Sequence, residues 1–184
     1  MKRLTDIVLS LIALVLLAPV LLLAALAVAL DSGLPVLFTQ TRVGLGGREF
    51  GMLKFRSMVK NAASAGPYFT QANDVRITRV GQFIRRTSID ELPQIINVLL
   101  GDMSLVGPRP DVPAQQSLYS SGDWAQRCSV RPGITGLAQV KGRSVVSFEQ
   151  RLALDLDYTK NASWWGDVKI MWWTVCQLRG RHAN

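Results

Sequence analysis

The sequence predicts an α+β protein that is mostly helical, with little strand and a membrane segment at its start. Three observations predict it. Ile7 to Leu30 is an uninterrupted apolar run without a charge, and apolar residues recur at helical spacing in 76–86, 92–100 and 147–160. Only short stretches such as Val36–Thr41 have β-rich composition. At 184 residues the chain supports one domain with a core, so the expected organisation is a membrane segment over 1–30 and one folding unit over 31–184.

Composition narrows the chemistry. The 21 Lys and Arg against 13 Asp and Glu give a formal charge of +8, which favours an anionic partner such as nucleic acid, anionic lipid or a phosphorylated substrate. The single histidine, His182, nearly excludes triads and metal clusters built on imidazole. Cys128 and Cys176 have no metal-like or paired spacing and are expected to be buried thiols in a reducing compartment.

The apolar run admits three readings. Lys2 and Arg3 before it and Ala27-Val28-Ala29 within it resemble a signal peptide, but 24 residues exceed an ordinary signal core. A straight helix of that length is about 36 Å long and would span a bilayer. Basic residues flank both ends, however, with Arg42, Arg48 and Lys54 following, and both ends therefore prefer the cytoplasmic side. Pro19 in the middle offers a third solution: half-helices Ile7–Ala18 and Val20–Leu30 that enter and leave one leaflet as a re-entrant hairpin. The residues alone leave the spanning and re-entrant readings open.

After the turn at Asp31–Pro35, Val36–Thr41 is expected to be a strand and Gly44–Gly47 a glycine-rich turn. In the extended segment Phe50–Met58, Lys54 and Arg56 share a face, which serves either to hold a phosphate or as an ordinary solvated strand face. Asn61–Asp74 is small and polar and reads as a mobile loop. Arg76–Arg86 reads as an amphipathic helix with Arg76, Arg79, Arg85 and Arg86 on its polar side, suited to anionic headgroups. A second helix over Leu92–Leu100 stops at Gly101. Gly107-Pro108-Arg109-Pro110 is a stiff loop around one cation. Arg131–Gly136 and Gln139–Arg143 again set cations beside glycines, the composition of phosphate-binding loops. Ser147–Lys160 reads as a helix with a Ser147/Gln150 capping box, and Asp155 either faces the pocket or pairs with a nearby arginine. Trp164-Trp165 and Trp172-Trp173, with Lys169, Arg179 and Arg181 around them, suit a bilayer interface better than a core.

The stretch Thr87–Gln94 carries the most chemistry. Pro93 places a helix start there, and Asp90 and Glu91 fall at it, where the helix dipole favours ionised carboxylates. One reading makes Asp90 a nucleophile toward phosphorus, Glu91 a ligand of Mg²⁺, and Arg85 a clamp for phosphate oxygens. The other makes the acids an ordinary cap, Ser88 and Glu91 forming an S-x-x-E box.

Taken together, these motifs resemble the small monotopic bacterial phosphoglycosyl transferases, the bacterial sugar transferase family. The resemblance runs from Lys2-Arg3 and Asp6 through Pro19, Lys54–Met58, Asp90–Gln94, Asn97-Val98-Leu99, Gly101–Ser104, Gly107–Pro110 and Arg131–Gly136 to Gln139–Arg143. It implies a monotopic protein at the cytoplasmic face of the bacterial inner membrane, with a re-entrant hairpin broken at Pro19, interfacial helices and a compact catalytic domain. It implies transfer of a phospho-sugar from a UDP-sugar to a polyprenol phosphate, usually undecaprenyl phosphate, with release of UMP, as the first membrane step of surface glycan assembly. It further implies a covalent aspartyl intermediate on Asp90, Glu91 as the Mg²⁺ ligand, Arg85 at the phosphate, and Lys54, Arg109, Arg143 and Asp155 as pocket residues. A homodimer stays open, and the chain resembles the minimal catalytic form. Where relatives often carry Ser-Pro at the bend, this chain has Ala18-Pro19, losing a hydroxyl that returns a hydrogen bond to the freed backbone. The competing class is a membrane-tethered basic module for nucleic acid or anionic lipid. It is disfavoured because the arginines lie in Pro/Gly loops and not on a recognition helix.

Overall fold

The computed structural model describes residues 1–62, 74–142 and 147–180, the last three without their side chains. Most of the loop expected over 61–74, Arg143, and the chain end with Arg181 and His182 lie outside the described residues, as does the side chain of Arg179.

Helix α1 runs from Lys2 to Ser32 with Pro19 inside it. The expected separation into two half-helices is therefore not seen, because the missing proline donor interrupts one rung of the ladder while the flanking apolar residues keep the helix going. Both ends of α1 dock on the rest of the chain. At its start, Lys2 Nζ bonds Asp167 (2.5 Å), the Val106 carbonyl (3.0 Å) and Tyr158 Oη (3.3 Å). Arg3 bonds the carbonyls of Val98 and Leu99, and Asp6 accepts from Ser104 Oγ (2.9 Å) and the Leu105 amide (3.1 Å). At its other end, Arg56 donates to the carbonyls of Ser32 and Gly33, the Val80 amide donates to Asp31, and Ala24 and Val28 pack with Phe55 and Ile84. Between these ends Leu11, Ile12, Val15, Leu16, Leu22 and Leu23 are exposed.

Strands β1 (Leu37–Val43) and β2 (Glu49–Phe55) form an antiparallel ribbon in which Leu37 faces Phe55 and Val43 faces Glu49. Their connection turns through Gly46 and Gly47, both at positive φ, a conformation glycine adopts without penalty. Helix α2 is shorter than its sequence pattern, Arg79–Arg86, capped by the Thr78 hydroxyl on the Gly81 amide. Arg76 is not on the helix; it is buried and bonds Asp74, while Ile77 bridges Met58. Helix α3 (Gln94–Leu100) ends at Gly101 in the left-handed region, the expected stop.

Two very short strands, β3 (Ser104–Val106) and β4 (Gly133–Thr135), pair in parallel around helix α4 (Ser121–Arg127). Neither strand was expected, since three residues show no periodicity and their pairing depends on a segment nearly thirty residues away. Helices α5 (Leu137–Gly142), α6 (Phe148–Asn161) and α7 (Trp164–Gly180) complete the chain. The α6 capping box between Ser147 and Gln150 is present. A core of Val106, Val140, Tyr158 and Ile170 joins α5, α6 and α7 to β3. Trp165 and Trp172 are exposed, whereas Trp173 packs against this core, contrary to the expectation for the pair, and Cys176 is exposed where a buried thiol was expected, because α7 turns that face outward.

Candidate active site

The site forms where β2, the turn before α3 and the loop after β3 converge. Thr87 closes α2, and Ser88 takes a left-handed φ of 59°. That reversal starts a 3-10 turn at Ile89–Glu91, followed by Pro93 and α3. Ser88 makes no side-chain cap bond. The S-x-x-E cap is thus not formed, and the Glu91 side chain is used elsewhere.

Asn97 holds this turn to the ribbon. Its Oδ1 accepts the Leu53 amide at 2.9 Å and its Nδ2 donates to the Gly51 carbonyl at 2.8 Å. The β2–α3 junction consequently delivers Lys54 to Glu91: Lys54 Nζ lies 2.9 Å from Glu91 Oε1. From the loop after β3 Arg109 reaches the same carboxylate, Nη2 to Oε1 at 2.5 Å and Nη1 to Oε2 at 3.4 Å. Burial alone pushes the Glu91 carboxyl up, but Arg109 and Lys54 outweigh it and hold the group down at about 2.

Asp90 stands in a different field. It is buried, and burial together with the Glu91 charge raises its pKa, while Lys54 and Arg85 pull the other way. The expectation that a helix N-terminus keeps Asp90 easily ionised is corrected here. Asp90 lies in an isolated turn ahead of α3, so desolvation and a like charge dominate over any dipole. Burial also lowers the Lys54 pKa against the pull of Glu91. Arg85 flanks the site with its Nε on Ser57 Oγ at 2.9 Å.

The loop carrying Arg109 is fixed through its own main chain. The carbonyls of Pro108, Arg109, Pro110 and Asp111 accept, in order, from the Gly133 amide, Arg127 Nη2, Arg42 Nη1 and the Val43 amide. Strands β1 and β4 and helix α4 therefore grip four consecutive residues, and the main chain beneath the guanidinium is fixed on both sides.

Asp155 is not a wall of this site. It is buried and pairs with Arg127 Nε at 3.0 Å, the second of the two roles open to it in the sequence. Arg127 Nη1 also pairs with Asp111 at 2.8 Å. Arg56 belongs to the α1 junction and does not share the pocket with Lys54. Sequence reasoning missed Arg127 and Asp111, and it named Asn97 and Arg42 without giving them a part in the site. Burial of several charges in a chain this short is a signal only once the partners are known.

Asp90 and Glu91 supply hard oxygen donors. Among the described residues no group of three His, Cys, Asp or Glu converges on a point. Two carboxylates fit Mg²⁺, which commonly takes one or two from protein and the rest from phosphates and waters.

A family model described as bacterial sugar transferase matches residues 1–181. The chain is 50% identical over 186 residues to the UDP-glucose:undecaprenyl-phosphate glucose-1-phosphate transferase of Caulobacter vibrioides, with 96% of this chain and 69% of that protein covered. It is 46% identical to the Escherichia coli protein of the same description over 95% of this chain and 39% of that one. It is 44% identical to the UDP-N-acetylgalactosamine-undecaprenyl-phosphate N-acetylgalactosaminephosphotransferase of Aeromonas hydrophila, over 95% of this chain and 42% of its length.

Proposed function

Since the chain belongs to the bacterial sugar transferase family, we propose that it transfers a phospho-sugar from a UDP-sugar to a polyprenol phosphate, releasing UMP. The relatives' descriptions point to undecaprenyl phosphate as acceptor and differ in the sugar, which leaves sugar choice to the pocket. The observation that carries the reading is the split field at Asp90-Glu91, where Lys54 and Arg109 both pair with Glu91 while, among the described residues, no ion pair is made by Asp90.

In the proposed mechanism an Asp90 carboxylate oxygen attacks the phosphorus that bears the sugar. The bond to the bridging oxygen breaks, and the electron pair leaves with UMP. An oxygen of the lipid phosphate then attacks the aspartyl phosphorus, forms a diphosphate and regenerates Asp90. Lys54, Arg85 and Arg109 neutralise charge developing on the phosphate oxygens. Glu91, with Asp90 beside it, would hold Mg²⁺, which when bound screens the diphosphate. Raised burial at Asp90 keeps water from competing for the carboxylate and strengthens its nucleophilicity once ionised.

The same reading puts the protein on the inner membrane as a monotopic enzyme facing the cytoplasm. Three features support it. Both ends of α1 dock on one body, whereas a span would carry them to opposite faces. Pro19 lies on the exposed side, so its clash with the Val15 carbonyl opens the helix outward and favours bending toward the body. Exposed Phe83, Trp165, Trp172 and the apolar middle of α1 offer surface to lipid. A basic nucleic-acid module is not favoured, because Lys2, Arg3, Arg42, Lys54, Arg56, Arg109 and Arg127 are all engaged by acids or carbonyls of the protein itself.

The test is incubation of the membrane-bound protein with a panel of UDP-sugars, undecaprenyl phosphate and Mg²⁺, reading UMP. Release with one sugar that requires the lipid acceptor for turnover is expected. Its absence across the panel overturns the reading.

A further inference from the structure

We infer that Arg127 is a positioning residue that sets the Arg109 guanidinium against Glu91, by means of Asp111 and Asp155; the inference rests on Arg109 serving the site proposed above.

Arg127 spends its whole guanidinium inside the protein. Nε is held by Asp155 at 3.0 Å, Nη1 by Asp111 at 2.8 Å, and Nη2 donates to the carbonyl of Arg109 itself. Its side chain is 4% exposed and those of its two acids 3% and 2%. Nothing of it is offered to a ligand. Asp111 is fixed in turn by the Tyr119 hydroxyl at 2.5 Å, and Arg151 donates to that hydroxyl at 2.8 Å.

A buried arrangement of two acids and one arginine is a poor way to gain stability. Desolvation of the charges offsets their attraction, and well-packed apolar side chains of similar volume often serve as well or better. What the arrangement supplies is direction. The planar fork presents donors along three fixed lines, and two of them are set by carboxylates from different elements, α6 and the loop after β3. The third is thereby aimed at one main-chain oxygen. That oxygen belongs to the residue whose side chain grips Glu91 a few bonds away. A lysine at 127 keeps the charge but cannot hold all three lines, so the carbonyl loses its fixed donor.

A double-mutant cycle separates positioning from generic scaffolding. The full chain in lipid nanodiscs is assayed with the UDP-sugar it turns over and with undecaprenyl phosphate, for wild type, Arg127→Lys, Asp155→Asn, Arg109→Ala and the two doubles with Arg109→Ala. Thermal unfolding is recorded for each. Misplacement of a group by an ångström can cost roughly 10²-fold in rate. Arg127→Lys and Asp155→Asn are expected to lower kcat by up to that factor while unfolding stays cooperative. In the Arg109→Ala background neither is expected to lower it further, because the guanidinium they place is gone. Losses that multiply in that background overturn the inference and leave the site reading standing. Wild-type kcat in both single variants also overturns it. Should Arg127→Lys fail to fold, Asp155→Asn, which retains the Arg127–Asp111 pair, decides the matter. Failure of both to fold assigns the network to the core and overturns the inference. Wild-type turnover by Arg109→Ala alone overturns instead the site reading on which the inference rests.

Discussion

Lys54 Nζ lies 2.9 Å from Glu91 Oε1 and also lowers the pKa of Asp90 next door. One cation thus acts on both carboxylates. In the proposed mechanism Asp90 attacks as the carboxylate, and burial together with the Glu91 charge raises its pKa, so turnover should fall on the acid side at a higher pH than an exposed aspartate would give. Lys54→Met removes a charge that lowers both groups. The acid limb of the kcat profile should move to still higher pH, with kcat at neutral pH down by roughly 10²-fold. A pH–rate series on UMP release checks both, and a limb that stays in place in the variant contradicts the coupling.

Asp90→Asn should abolish the covalent adduct and lower turnover by at least about 10³-fold. It should not lower stability. A carboxyl whose folded pKa is raised above its unfolded value contributes stability below the unfolded pKa and loses it as pH rises through the folded pKa. At neutral pH the ionised form is therefore a burden on the fold, and the neutral amide removes it. Thermal scans should give a Tm at pH 7 equal to or above wild type, with the difference vanishing in acid.

Asn97→Ala should cost about 2–4 kcal/mol, because the Leu53 amide and the Gly51 carbonyl lose their buried partner. Denaturant unfolding measures it. Activity should fall with it, since Lys54 is next to the released rung.

Gly133→Ala should fail to fold. A Cβ there would sit 2.1 Å from the Gly107 amide nitrogen, just past β3, and 2.4 Å from the Thr135 carbonyl oxygen in β4, both backbone atoms. Gly122→Ala in α4 is the control, with its nearest neighbour 4.0 Å away. It should gain about 0.5–1 kcal/mol from helix propensity. Soluble yield and Tm distinguish the two.

Single cysteines at Leu4 and Leu34, in a Cys176→Ser background, should react with an impermeant reagent from the same side of the membrane. Both positions are exposed at opposite ends of α1. Labelling from opposite sides would restore a spanning helix.

Much of this was legible from the residues. The Leu92–Leu100 pattern with Gly101 behind it marked α3, and the Ser147/Gln150 pair marked α6, because caps and periods are local. Asp90, Glu91 and Arg109 could be singled out as charges in constrained turns, and Lys54 as a cation on an extended segment. The continuity of α1 through Pro19 could not, since proline weakens a helix without dictating whether it stops. The strands β3 and β4, and the part played by Arg127, were equally hidden. Three-residue strands and buried arginines are defined by partners far along the chain, and local sequence carries no record of those.

The tie between Lys2 and Asp167 joins positions 165 apart. Arg3 and Asp6 find their partners in α3 and β3, at 98–105, whereas Lys2 finds its carboxylate only in α7. The salt bridge therefore closes the chain end to end: α1 cannot be seated at its first residue until the final described helix has been made and has packed on β3.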